Sequence, residues 1–95
     1  MGLTEADAKA LVSEGILSAD YDEHEEAIEF YDKALKIVET GEIYLNKGIS
    51  LMELEKYDDA VACYDKAATI DPSAEVDSAG SAQKVLVLLR DGVTG

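Results

Sequence analysis

The chain contains one sequence pattern twice, and the second copy begins 33 residues after the first. Residues 26–34 read EAIEFYDKA and residues 59–67 read DAVACYDKA. The same offset places Gly15 over Gly48 and Leu11 over Tyr44. Self-similarity at a fixed period of this size is typical of arrays in which each unit packs against the next. The repetition therefore favours two copies of one small structural unit over a single irregular core.

Each copy is predicted to form a pair of helices. Small and apolar residues recur at spacings of three and four, as they do along one face of a helix. Polar turns at 20–23 and 53–56 divide each copy in two. The alternation of a β-strand is absent, and Ala, Leu, Glu and Lys fill the helical positions. The expected fold class is all-α, with two helix-turn-helix units.

Residues at the expected helix ends support this division. Thr4 and Asp7 have the spacing of a capping box for the first helix. Gly41 is expected to adopt a left-handed conformation after the second helix, and Pro72 is expected to end the fourth.

The second copy resembles the tetratricopeptide repeat. That family's pattern has an aromatic residue, a Leu-Gly pair, a large apolar residue, an Ala, an aromatic residue, another Ala and a Pro. The matching residues here are Tyr44, Gly48, Leu51, Tyr57, Ala60, Tyr64, Ala67 and Pro72, with Lys47 in the Leu position. The first copy matches through Gly15, Ala27, Tyr31 and Ala34, but it has Leu11, Glu14 and Glu39 in the aromatic, Leu and Pro positions.

The resemblance covers roughly residues 8 to 74 and implies a tetratricopeptide-like α-solenoid, with repeats at about 8–40 and 41–74. About three repeats are usually needed to bury a continuous core, so the end of a two-repeat array needs a cover. Ala82, Val85 and Leu89 form an apolar stripe that predicts a fifth, capping helix at about 75–90. Residues 91–95 are expected to fray, and residues 1–95 are expected to form a single domain.

A second apolar stripe lies on a different side of the first helix of each pair. The resemblance implies that this side lines a concave groove that holds a peptide. The predicted groove residues are Val12, Ile16, Leu45, Asn46, Ile49, Met52, Leu86 and Val87, with an acidic rim of Asp20, Glu42 and Glu53. The alternative is that part of this set is ordinary core, because a two-repeat array curves little.

Charge restricts the class of partner. The chain has 21 Asp and Glu residues against 8 Lys and Arg, which gives a formal net charge of −13. This excess disfavours nucleic acid and anionic membrane surfaces as partners. The expected partner is a protein or peptide, such as a helix with basic flanks. A second copy of the chain, forming a homodimer through the same apolar face, is the alternative that the sequence leaves open.

The best-known ligand of the family is an acidic C-terminal chaperone peptide, clamped by two Asn and three Lys or Arg. Only Asn46 matches that clamp. The other positions carry Val12, Ile16, Val76 and Gly80, which cannot hold a carboxylate. An acidic chaperone peptide is therefore not an expected partner.

Chemistry-bearing residues are scarce. His24 occupies the position of Tyr57 in the second copy, and Cys63 has neither a second cysteine nor a basic neighbour in sequence, so both are expected to be packing residues. The acidic run at 20–26 lacks the Gly and the closing Glu of a calcium loop. We expect no enzyme activity, no metal and no cofactor. Without a membrane span or a signal-peptide pattern, a cytoplasmic location is expected.

Overall fold

Four helices make up the described part of the chain, residues 2–71 of a computed structural model. They are α1 (Glu5–Asp20), α2 (His24–Leu35), α3 (Gly41–Glu53) and α4 (Tyr57–Ile70). Helix α1 packs against α2, α3 packs against α4, and the two hairpins meet where α2 packs against α3. Within residues 2–71 there is no strand, so the prediction of an all-α fold with two helical hairpins is confirmed. The predicted fifth helix, the tail at 91–95 and Pro72 lie outside the described residues.

Each hairpin closes around a glycine of its first helix. Gly15 faces the ring of Tyr31, and a Cβ atom at Gly15 would lie 2.5 Å from a ring carbon. Gly48 faces the ring of Tyr64 in the same way, at 2.9 Å. Because carbon atoms normally approach to about 3.5–4.0 Å, a side chain at either position would push the two helices apart. The repeated glycine therefore sets the close approach within each hairpin.

Each hairpin also has its own apolar cluster. Ala27, Ala34, Ala60 and Ala67 are completely buried on the second helices, where small side chains let the helices approach. The first cluster consists of Ala8, Val12, Ala27, Tyr31, Ala34 and Ile43, and the second of Leu45, Leu51, Ala60, Cys63, Tyr64 and Ala67.

The two hairpins are joined by reciprocal apolar contacts and one ion pair. Ile43 of α3 belongs to the first cluster, and Ile28 of α2 packs against the second. The Lys47 ammonium lies 2.6 Å from a carboxylate oxygen of Asp32, and both side chains are partly exposed. A partly exposed pair of this kind contributes about 0.2–1 kcal/mol. It links α3 to α2 beside the apolar contacts.

A polar contact lies beside this apolar interface. The Ser50 hydroxyl is buried, and its oxygen is 3.4 Å from Nδ1 of His24 at the start of α2. Burying a hydroxyl without a hydrogen-bond partner would destabilise the fold, and the His24 imidazole supplies that partner. His24 thus lies at the junction of the hairpins.

The capping box predicted for α1 is present. The Thr4 N–H donates to the Asp7 carboxylate at 2.7 Å, and the Asp7 N–H donates to the Thr4 hydroxyl at 3.4 Å. These bonds use donors that the first turn of a helix leaves without partners.

The expectation for Gly41 is wrong. Gly41 is the first residue of α3 and is buried, and no glycine among residues 2–71 has a positive φ. Thr40 caps this helix, because its hydroxyl accepts the N–H of Ile43 at 3.2 Å. The left-handed positions are Asp22 and Glu55, each with φ of 63°. They occupy equivalent places in the two hairpin turns, so the sharp turn falls inside each repeat.

Candidate binding groove

A cavity of about 360 Å³ lies between the first helices of the two hairpins. Its lining is mainly apolar, with Ala8, Val12 and Ile16 on α1, Val38 between α2 and α3, and Ile43 on α3. Ala8, Val12 and Ile43 are also members of the first core cluster. The floor of the cavity is therefore the outer surface of the core, held in place by packing beneath it.

Charged and hydroxyl groups surround this floor. Glu5 and Lys9 come from α1 and Glu42 comes from α3, and all three are exposed. Ser13 and Thr40 complete the lining. Two carboxylates against one ammonium group give the mouth an excess of negative charge.

The predicted groove residues fall into two groups. Val12, Ile16 and Glu42 line this cavity. Leu45 is buried in the second core cluster, and Met52 packs against it.

Four more of the predicted residues also lie away from the cavity lining. Asn46 is half-buried on α3, whereas Ile49 is exposed on the same helix. Asp20 and Glu53 are exposed at the last residues of α1 and α3, and neither lines this cavity. Leu86 and Val87 lie outside the described residues.

Among residues 2–71, Ile16 and Ile49 are the exposed apolar members of the predicted groove set. Ile16 exposes 41% of its surface and Ile49 exposes 37%, and the two occupy equivalent positions of the two repeats. Large apolar side chains that stay exposed on one side of two neighbouring helices are candidates for contact with another molecule.

Seven lining residues were not among the predicted groove residues: Glu5, Ala8, Lys9, Ser13, Val38, Thr40 and Ile43. A signal for part of this set was present. Continuing the Val12–Ile16 stripe backwards at helical spacing reaches Lys9 and then Glu5. The 33-residue offset maps Lys9 onto Glu42 and Glu5 onto Val38, so the cavity uses the same positions of both repeats. The prediction stopped too early along the helix.

Burial disfavours ionisation of three core side chains, Cys63, Tyr64 and Tyr31. Burial raises the pKa of the Cys63 thiol, and the nearby Lys47 ammonium offsets this only in part. Burial raises the pKa of Tyr64 to about 12. Burial also raises the pKa of Tyr31, with a smaller effect from Asp20. Thiol and phenol groups held protonated in this way are poor nucleophiles.

Two negative findings concern residues 2–71. None of their helices combines the length and the apolar character that crossing a bilayer requires. Their His, Cys, Asp and Glu side chains form no group of three or more that could hold a metal ion.

The described residues form two equivalent helical hairpins that stack through α2 and α3 and have a groove along their first helices. This arrangement defines a helical-repeat protein of the α-solenoid class. Models of the tetratricopeptide repeat match residues 8–38 and 41–74. The chain therefore belongs to the tetratricopeptide repeat family, whose repeats generally mediate protein–protein interaction and are typically not enzymes. Searches of curated proteins and of solved structures returned no match to the chain.

Proposed function

We propose that the chain is a protein-interaction module whose groove between α1 and α3 takes an apolar side chain from a helix with basic flanks. The cavity of about 360 Å³ between the two helices is the observation that carries this proposal. Its size falls within the range of about 300–1,000 Å³ that is usual for ligand pockets.

The apolar part of the partner is inferred from the floor of the groove. Val12, Ile16 and Ile43 offer carbon surface that an aliphatic or aromatic side chain can cover. Ile49 extends this surface along α3. A helix presents side chains to a groove at positions i, i+3, i+4 and i+7, so one partner residue can enter the cavity while another covers Ile49.

The basic part of the partner is inferred from charge. Glu5 and Glu42 stand at the mouth of the cavity, and the whole chain has a formal net charge of −13. This field attracts basic segments, speeds their association and repels acidic ones. The proposal therefore excludes the acidic C-terminal chaperone peptide, nucleic acid and membrane surfaces.

The test is a selection from a library of helical peptides with apolar anchors and randomised flanks on the immobilised chain. We expect enrichment of Lys and Arg in the flanks and weaker binding of the selected peptides as NaCl rises, because salt screens these charges. The Ile16→Asp variant should bind them at least about tenfold more weakly, since it removes about 1.5–3 kcal/mol of apolar burial.

Leu17→Asp provides a matched control. Leu17 is the next residue of α1, is 52% exposed and does not line the cavity. The same substitution there should leave peptide affinity unchanged. Equal losses in the two variants, or selected flanks without basic residues, would contradict the proposal. Leu45 is unsuitable for this test because it is buried in the second core cluster, where a carboxylate would destabilise the fold.

The alternative occupant of the same groove is a second copy of the chain. A groove-mediated homodimer would lose its association in the Ile16→Asp variant and would compete with the selected peptides. Measuring the solution mass with and without peptide separates this alternative from a monomeric binding module.

A further inference from the structure

The side of α1 turned away from α2 carries an exposed apolar stripe. Leu17 is 52% exposed and Tyr21, the residue that ends the helix, is 71% exposed. Ala6, Ala10 and Ser13 precede them at spacings of three and four residues and are also exposed. We call these five residues the outer face of α1. It adjoins the groove at Ser13, which also lines the cavity, whereas Leu17 and Tyr21 do not line it.

The surface of α3 that is equivalent to the outer face of α1 is covered in the structure. The residues of α3 that lie 33 positions after Ala10 and Leu17 are Ile43 and Ser50. They are only 3% and 1% exposed, because the first hairpin covers this side of α3. The outer face of α1 is the equivalent surface of the first hairpin, and none of helices α2 to α4 covers it. It is thus a packing surface that has no partner within residues 2–71.

Charge disfavours covering it with a second copy that continues the array head to tail. At the junction inside the chain, Lys47 of α3 pairs with Asp32 of α2. In a head-to-tail stack the equivalent residues would be Glu14 of one copy and Asp65 of the next. The attractive pair would be replaced by two carboxylates, which disfavours this arrangement.

The stripe is, however, complementary to itself in the antiparallel direction. Small residues, Ala6 and Ala10, occupy its first half, and large residues, Leu17 and Tyr21, occupy its second half. Two antiparallel copies of α1 place Tyr21 over Ala6 and Leu17 over Ala10, with Ser13 at the two-fold axis. Large side chains then fill the space left by small ones, and the helix dipoles oppose each other.

We propose that two copies of the chain associate through the outer face of α1 in a symmetric, antiparallel dimer. Isologous interfaces of this kind are the commonest in soluble oligomers. Lys9 of one copy falls near Asp20 of the other at one edge of the interface. Glu14 falls beside the axis at the opposite edge, where it faces its own copy.

The dependence of this dimer on salt is set by charge. Each copy brings a formal net charge of −13, and the two copies of Glu14 add a local repulsion. Added NaCl screens both effects, so dimerisation strengthens as salt rises. This is opposite in sign to the salt dependence expected for a basic peptide in the groove, so the two associations can fail or succeed independently.

Sedimentation equilibrium of the full chain over a concentration series, at low and high NaCl, is the first experiment. We expect a monomer–dimer equilibrium that shifts to dimer with salt and stops at two copies. Leu17→Asp should make the chain monomeric with its helical signal intact, whereas the matched Ile16→Asp variant should still dimerise. The proposal would be overturned by a monomer under all conditions or by masses beyond a dimer. It would also be overturned if only Ile16→Asp abolished the dimer.

Cysteine cross-linking in a Cys63→Ala background tests the antiparallel register. Ser13→Cys should form a disulfide-linked dimer, because the two copies of residue 13 meet at the axis. Ala6→Cys should not, since Ala6 lies opposite Tyr21 and its two copies are about 22 Å apart along the helix. Mixing Ala6→Cys with Tyr21→Cys should restore the cross-link. Efficient linking by Ala6→Cys alone would overturn the proposed orientation.

Discussion

The contact between Gly15 and the ring of Tyr31 can be tested by adding a single methyl group. A Cβ atom at Gly15 would lie 2.5, 2.9 and 3.0 Å from three carbons of that ring. Tyr31 is almost completely buried, so its ring has no space into which it can swing. Gly48 is the matched position, where the same atom would lie 2.9, 3.2 and 3.2 Å from the ring of Tyr64.

Two opposing free energies decide the outcome of a Gly→Ala change here. Alanine stabilises a helix interior by about 1 kcal/mol relative to glycine. Overpacking a tight core destabilises it by about 1–3 kcal/mol. Because the contacts at Gly15 are far shorter than normal, we expect the upper end of that penalty and a net loss of about 2 kcal/mol. The contacts at Gly48 are less severe, so we expect the lower end of that penalty and a net change near zero.

Urea denaturation followed by helical circular dichroism measures both variants under one set of conditions. In a Tyr31→Leu background, Gly15→Ala should become favourable, because the smaller side chain removes the clash and leaves the helix-propensity gain. A Gly15→Ala variant as stable as the parent chain would refute the argument, as would a larger loss at Gly48 than at Gly15. So would additive effects of the Gly15 and Tyr31 substitutions.

Three further predictions use the same unfolding assay. Glu55→Gly should raise the free energy of unfolding by about 0.5–1 kcal/mol, because a left-handed φ strains a residue that has a Cβ atom. Asp22→Gly should change the free energy of unfolding less, since Asp tolerates the left-handed region. Burial raises the pKa of Tyr64 to about 12, so the folded state keeps a proton that the unfolded chain releases near pH 10. The free energy of unfolding should therefore be unaffected by this group below pH 10. It should fall by about 2–3 kcal/mol as the pH rises to about 12. Tyr64→Phe should reduce this alkaline loss and cost little at neutral pH, because the hydroxyl has no hydrogen-bond partner among residues 2–71; an unchanged alkaline profile would contradict this account. Thr4→Ala should lower stability by about 1 kcal/mol through loss of the α1 cap, and an unaltered urea midpoint would argue against it.

The features predicted well are those that depend on residues close together in sequence. The capping box needs only Thr4 and Asp7, and the hairpin turns fall where the apolar spacing breaks. Gly41 was misassigned because both a helix end and a helix start can use a glycine. The Thr40 hydroxyl, one residue earlier, caps α3, so Gly41 lies at the start of this helix.

The groove was predicted less completely, because a helix that is apolar on two sides does not reveal which side is covered. Val12 and Leu45 are equivalent in the repeat and both are buried, yet only Val12 lines the cavity. The difference arises from the elements that pack above each position, which the periodicity of a single helix does not contain.

Local sequence patterns specify the two equivalent helical hairpins of the tetratricopeptide type. Period, helix caps and small residues at the helix crossings act within one repeat, so local spacing specifies them. Which apolar side chains remain exposed depends instead on tertiary packing. That outcome depends on how the hairpins stack through Ile28, Ile43 and the Lys47–Asp32 pair. This stacking buries one side of α3, leaves the equivalent side of α1 open, and forms the cavity between them.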